Sequence, residues 1–235
     1  MLKEEKEKHL ALLTTAEVKV EGQFVWGSNY TFLVDLIHEA GPDKAVYKPV
    51  RGERELWDFP SETLSAREVA AYLVSEAYGL GMVPPTIFRQ DAPVGPGSLQ
   101  LFMDHDPDYH FFNFNEEDHA KMLDVAVFDI VINNADRKGG HIIKGEDGKL
   151  WLIDHGVCFH EEFKLRTVIW DFAGEKLPDE IKGRLKVLRD SLVESNELFT
   201  SLNALISDEE ITAMTGRIAD LLEVGELPHP DEERR

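Results

Sequence analysis

Cysteine is almost absent. The 235 residues hold one, Cys158, so no disulfide can form within the chain and a reducing compartment fits. Cations are scarce as well: Lys and Arg total 25 against 45 Asp and Glu, a formal charge of −20. Nucleic-acid binding draws on clustered cations that release counterions, so nucleic acid is not an expected partner. The same field disfavours an anionic membrane surface, where each Lys or Arg near the headgroups contributes about 1 kcal/mol, and no stable membrane association is expected. No apolar run approaches the roughly 18 residues of a membrane span. The charged start, Met1 to His9, leads into no apolar segment of signal-peptide length. The expectation is a cytoplasmic chain. What is present is apolar material: 43% hydrophobic residues, enough for one sizeable core or two small lobes.

The periodicity changes along the chain. Residues 3–13 read as a polar leading helix. From Glu17 a period near two takes over, with Val18, Val20, Phe24 and Val25 in one strand, Tyr30 to Ile37 in a second and Lys44 to Val50 in a third. Residues 62–79 carry Leu64, Val69, Tyr72, Leu73 and Ala77 at helical spacing, closed by Gly79 and Gly81, and predict an amphipathic helix packed on the sheet. Thr86 to Arg89 and Leu99 to Met103 read as two further strands. A second region opens near Asp104 with a helix expected from Glu116 to Asn133, apolar over more than one face. A loop comes next, then a hairpin of His141 to Lys144 and Leu150 to Asp154. Three helical segments are expected between Pro178 and Val224, and the proline-broken tail 226–235 reads as mobile. The pattern divides into a leading extension (1–15), a first lobe (16–102), a mainly helical second lobe (103–225) and the tail. A cleft between two lobes is a natural nucleotide site.

The densest polar cluster in an apolar setting is INNADRKGGHIIK followed by LWLIDHG. Asp136 sits in a loop after a buried helix, His141 stands five residues on, and Asp154 closes a strand. Phosphoryl transfer needs a carboxylate to position an attacking hydroxyl and ligands for the magnesium that bridges the phosphates. The competing reading, carboxylates that fold turns and cap helices, stands at even weight on spacing alone. Arg137 and Lys138 either add positive charge near the transferred group or, the weightier reading, sit exposed in a loop. Lys48, in KAVYKPV, shares a strand face with Val46, where it either snorkels to an edge or meets an anion. Glu68 is its candidate partner, yet Ser65-Ala66-Arg67-Glu68 also matches a capping box that would consume the carboxylate.

Read together, GSNYTFLV, AVYKPV, AREVAAYLVSEAYGLGMVPPT, DIVINNADRKGGH and LIDHG resemble the small bacterial members of the phosphatidylinositol 3-/4-kinase-like family, within the protein-kinase superfold. The resemblance spans about residues 20 to 160. It implies an α+β, two-lobed kinase-like fold, with ATP and Mg²⁺ or Mn²⁺ as cofactors. It implies Gly27, Ser28 and Asn29 in the phosphate-covering loop, Lys48 as the strand lysine and Glu68 as its helix partner. Leu101 and Met103 would lie on the strand leading to the adenine hinge, Asp136 would be the catalytic-loop aspartate and Asp154 the metal-binding one. The pattern is departed from twice: His141 stands where the family usually has a second metal-binding Asn, and His155 where Phe is common. The expected function is ATP-dependent transfer of phosphate to a hydroxyl of a protein or small molecule. The alternatives are a weak or inactive nucleotide-binding pseudokinase and a nucleotidyl (AMP) transferase on the same fold. An inositol phospholipid is a poor acceptor, because Lys164, Arg166 and Lys176 are offset by Glu161, Glu162, Asp171 and Glu175.

Overall fold

The computed structural model describes residues 1–24, 30–39 and 41–230. Helix α1 (Lys3–Thr15) precedes β1 (Glu17–Phe24), β2 (Thr31–Ile37) and β3 (Asp43–Pro49), then α2 (Leu64–Tyr78), β4 (Thr86–Arg89) and β5 (Gly97–Leu101). The five strands form one antiparallel sheet in the order β1-β2-β3-β5-β4. The alternation of β3 sorts its side chains: Ala45 and Tyr47 join Val34, Leu36 and Leu99 in a small core with Leu13 and Ala16 from α1 and the residue after it. Val46 and Lys48 are left for the opposite face. Arg89 donates to the carbonyls of Leu13 (3.2 Å) and Ala16 (2.7 Å), satisfying acceptors that the end of α1 leaves open.

The second lobe holds α3 (Glu116–Ala120), α4 (Met122–Val131), the hairpin β6 (Ile142–Lys144) and β7 (Leu150–Leu152), then α5 (Asp179–Ser191), α6 (Glu197–Asn203) and α7 (Asp208–Val224). The fold is α+β and two-lobed. The three C-terminal helices fall where the sequence predicts three, and Ser207 caps α7 by accepting from the Glu210 amide. Among the described residues no helix is long and apolar enough to cross a membrane.

Several expectations are corrected. The helix predicted from Glu116 to Asn133 breaks at Lys121, because buried Asp118 is pulled inward by Tyr109 Oη (2.8 Å) and Lys144 Nζ (2.6 Å). The last strand of the first lobe, β5, starts and ends two residues earlier than expected, so Met103 lies beyond it. His141 ends a one-turn 3₁₀ segment instead of opening the hairpin strand. The tail is fixed at its start: Leu227 is buried and exchanges backbone bonds with Gly174 and Glu175 at 2.9 Å.

Helix α2 bridges the two lobes. It touches β4 and β5, yet its buried residues Ala70, Val74 and Tyr78 join the large core of the second lobe, with Val125, Phe128, Leu185 and Met214. The helix packs on the sheet, as its amphipathic pattern predicts, and on the second lobe as well.

Gly97 opens β5 opposite Pro49. A Cβ there would stand 2.4 Å from the Lys48 carbonyl oxygen and 2.7 Å from Pro49 Cα, both backbone atoms. Gly97→Ala is therefore expected to cost about 1–3 kcal/mol, as overpacking does. Gly183, on the exposed side of α5, would meet nothing within 4 Å. Gly183→Ala should stabilise by about 0.5–1 kcal/mol. Thermal melts of the two variants should shift in opposite directions; a shared direction would contradict this account of the β3–β5 contact.

Candidate active site

Lys48 sits in a central strand, and its ammonium crosses to two carboxylates from other parts of the chain. It pairs with Glu68 Oε1 on α2 and with Asp154 Oδ1 at 3.0 Å, just beyond β7. Burial works against the Lys48 charge, but Asp154 and Glu68 outweigh it and hold its pKa above the ordinary lysine value. Glu68 is itself buried, and its second oxygen accepts the His155 amide at 2.9 Å. The capping-box reading of Glu68 fails for a geometric reason: α2 starts at Leu64 with Thr63 as N-cap, so Ser65 already lies inside the helix. The open amides there belong to Glu53, whose carboxylate accepts from Leu64 N (3.0 Å) and Ser65 N (2.7 Å).

Asp154 leaves the hairpin in the left-handed region, φ 65°, which turns its carboxylate into the cleft. Lys48 draws its pKa down against the opposing effect of burial, to well below the usual carboxylate range. His141 Nε2 stands 3.3 Å from Asp154 Oδ2. Burial lowers the His141 pKa by more than the Asp154 carboxylate raises it, so the ring is neutral at pH 7. Asp136 lies on the same cleft with its carboxylate on Lys138 Nζ at 2.6 Å, and its amide bonds Asn134 Oδ1 at 3.0 Å.

These groups close one end of a cavity of about 660 Å³ between the lobes. Val46, Leu101, Met103, Ile143 and Ile153 give it an apolar patch, while Glu53, Arg54, Asp58, Gln100 and Arg166 make other parts of its wall polar. Lys48, Glu68, Asp136, His141, Asp154, Leu101 and Met103 thus share one cleft; Gly27, Ser28 and Asn29 lie outside the described residues. Among the described residues no three or more His, Cys, Asp or Glu gather around a common point.

The support beneath the site was largely missed by sequence reasoning. Arg137, expected in solvent, is 2% exposed. Its guanidinium forks onto Asp129 inside α4 (Nε to both oxygens at 3.1 Å, Nη2 at 2.9 Å) and donates to the carbonyls of His141 (3.3 Å) and Ile153 (3.2 Å). Nη2 also meets His155 Nε2 at 2.8 Å. An arginine only donates, so the His155 proton is on Nδ1, which stands 4.0 Å from Glu68 Oε2. Burial, with Arg137 alongside, pushes the His155 pKa well below its ordinary value, and the ring is neutral. A chain of polar contacts therefore runs from Lys48 through Glu68 and His155 to Arg137, next to Asp136. Asn133 and Asn134 fasten the loop further: Asn133 bonds the carbonyls of His160 (2.8 Å) and Glu162 (2.7 Å), and Asn134 bonds Asp129 (3.1 Å). The readable signal was one aspartate, Asp129, inside the apolar run VAVFDIVI.

Arg137→Met strands the Asp129 charge in the core and is expected to cost about 3–5 kcal/mol. Asp129→Leu combined with Arg137→Met removes both charges, and most of that stability should return while the loop loses its anchor. Urea denaturation measures both. A double variant no more stable than Arg137→Met alone would contradict the pairing.

Comparison with known proteins agrees with this geometry. The sequence pattern described as phosphatidylinositol 3- and 4-kinase matches residues 60–210. Protein Rv2133c of Mycobacterium tuberculosis is 39% identical over 259 residues, covering 95% of this chain and 92% of that protein. Phosphatidylinositol 4-kinase gamma 4 of Oryza sativa subsp. japonica is 34% identical over 122 residues, covering 44% of this chain and 22% of the plant protein. A crystal structure of the Golgi casein kinase with Mn/ADP bound superposes with a TM-score of 0.55 at 16% identity, over 98% of this chain and 81% of that one, a likeness of fold. With a kinase-type fold and a matched segment that carries Glu68, Asp136 and Asp154, this chain belongs to the phosphatidylinositol 3- and 4-kinase family of kinase-type phosphotransferases.

Proposed function

We propose that the chain transfers the γ-phosphoryl group of ATP to a hydroxyl of a protein or small molecule, with Mg²⁺ or Mn²⁺ as the divalent ion. The observation that carries this reading is the Lys48 ammonium held between Glu68 and Asp154 in a cavity that also presents an apolar patch. The apolar walls at Leu101 and Met103 suit a flat base, and Lys48 suits the α- and β-phosphates, with Glu68 orienting it. Asp136 directs the acceptor hydroxyl. Its oxygen attacks the γ-phosphorus, the bond to the β-phosphate oxygen breaks, ADP leaves, and the hydroxyl proton passes to Asp136. Lys138, which pairs with Asp136 and also lines the cavity, is the group Asp136 would exchange for that hydroxyl.

The donors present fit a divalent ion. Asp154 offers a carboxylate oxygen and His141 a neutral ring nitrogen 3.3 Å away. Magnesium in phosphoryl-transfer sites takes one or two carboxylates and completes its shell from phosphates and water. When bound, the ion neutralises charge across the phosphates. The Golgi casein kinase structure with Mn/ADP supports this use of the fold. A pseudokinase reading draws on a different observation: the carboxylate of Asp154 is already shared by Lys48 and His141.

Incubation with ATP labelled separately on the γ- and α-phosphates separates these readings. Label from the γ-position is expected in an acceptor and not in phosphatidylinositol vesicles. Label from the α-position would mean AMP transfer, and no transfer of either would mean an inert binder. Asp154→Ala should abolish transfer in a folded protein, and Lys48→Met should lower it by about a hundredfold or more.

The imidazole at position 141 sets a second expectation. Ring nitrogen favours Mn²⁺ over Mg²⁺, whereas an amide oxygen suits Mg²⁺. His141→Asn should lower the ratio of Mn²⁺-supported to Mg²⁺-supported activity. An unchanged ratio would remove His141 from the metal site.

A further inference from the structure

Arg67 adjoins Glu68 in α2 but points into the other lobe. It is 1% exposed, and its contacts come from four places. Nη2 pairs with Glu210 Oε1 at 2.6 Å, and Nη1 donates to the Cys158 carbonyl at 2.6 Å. Nε donates to Thr63 Oγ1 at 3.2 Å, and the guanidinium lies 5.0 Å from the Phe59 ring centroid. Glu210 is in turn fixed: its second oxygen accepts the Ser207 amide at 3.0 Å, closing the start of α7. One arginine therefore ties the first turns of α2 to α7 and to the segment four residues beyond Asp154. Together with the apolar face of α2 in the second-lobe core, this leaves the helix little freedom to rotate or withdraw.

We infer that Arg67 is a positioning residue that clasps α2 to the second lobe so that the adjacent Glu68 stays on Lys48, and that this pair is assembled in the chain by itself, with no partner or modification needed to bring α2 into place. The inference rests on the reading of Lys48 and Glu68 as the nucleotide-orienting pair. An ionic clasp is well suited to this task. A buried guanidinium has a fixed fork, so losing one partner leaves donors and a carboxylate unpaired, and the clasp holds one geometry or fails.

The test compares Arg67→Met, Arg67→Lys and Glu210→Gln with Leu221→Ala, a core truncation in α7 that lowers stability without touching the clasp. Phosphoryl transfer from Mg-ATP is measured at saturation, with Mg-ATP affinity by calorimetry and amide exchange across α2. Arg67→Met should lower kcat by about tenfold or more and speed exchange in the first turns of α2, and in a Glu68→Gln background it should add little further loss. Arg67→Lys should recover part of the rate, since it keeps the charge facing Glu210 but not the fork. Leu221→Ala should leave kcat per folded molecule unchanged. If Arg67→Met does not fold, Glu210→Gln decides, because glutamine still caps α7 while losing the charge. Unchanged kcat in a folded clasp variant, losses that add to those of Glu68→Gln, or an equal loss in Leu221→Ala overturns the inference while Lys48 and Glu68 keep their roles. If Lys48→Met and Glu68→Gln themselves leave transfer intact, the pair reading fails and the inference falls with it.

Discussion

A single ammonium placed between two carboxylates makes the cleft a site. Lys48 reaches Glu68 and Asp154 only when the sheet, α2 and the end of the hairpin all stand in register, so one charge reports on three segments. The local charge count is also informative: Lys48 against Glu68 and Asp154, with His141 neutral, leaves the group one negative charge in excess. A divalent cation turns that excess positive, which suits a polyphosphate far better than Lys48 already engaged by two carboxylates. On the proposed reading, nucleotide and metal therefore favour each other's binding.

Two buried arginines brace this arrangement from below. Arg137 joins α4 to the loop carrying Asp136 and to the residues flanking the hairpin, while Arg67 joins α2 to α7. Neither pair is a strong argument for stability, because taking the charges out of water offsets much of their attraction. Their value is directional. Each guanidinium has partners in several segments at once, and an apolar substitute of equal volume fills the space without fixing the angles. His155 belongs to the same logic: its neutral ring accepts from Arg137 and its backbone amide bonds Glu68, which ties Arg137 to the partner of Lys48 where phenylalanine would leave only the amide.

The strands of the first lobe were legible because alternation is a local property, and so was the facing of Lys48 away from Ala45 and Tyr47. The two-lobed fold and the family emerged from an ordered set of short motifs. What escaped depends on partners distant in sequence. Glu53 caps α2 from the preceding loop, Glu210 holds Arg67 from the far end of the chain, and Arg137 looked like a loop cation because its counter-ion lies inside an apolar helix. The second seat of α2 escaped for a related reason: its packing on the sheet was legible, but an amphipathic pattern does not show that a further layer covers the helix.

The acceptor side of the cleft is formed by an irregular segment whose charges are partly engaged by neighbours. The segment after Gly156 has no regular secondary structure for some twenty residues, yet it is pinned. Asn133 holds the backbone of His160, Glu162 and Lys164, and Arg166 pairs by backbone with Asn134 and Arg137. Lys164, a cation of the kind an inositol phosphate requires, is turned to Asp58 at 3.1 Å and lies 5.1 Å from the centroid of the Trp57 ring. That contact joins the loop before α2 to the second lobe across the cleft. Trp57, between the cavity-lining Leu56 and Asp58, is 93% exposed, and the cations Arg54, Lys138 and Arg166 line the same cavity. On the proposed reading, in which the acceptor is a protein side chain or a small molecule, the engagement of Lys164 by Asp58 removes one cation that a phosphorylated headgroup would use.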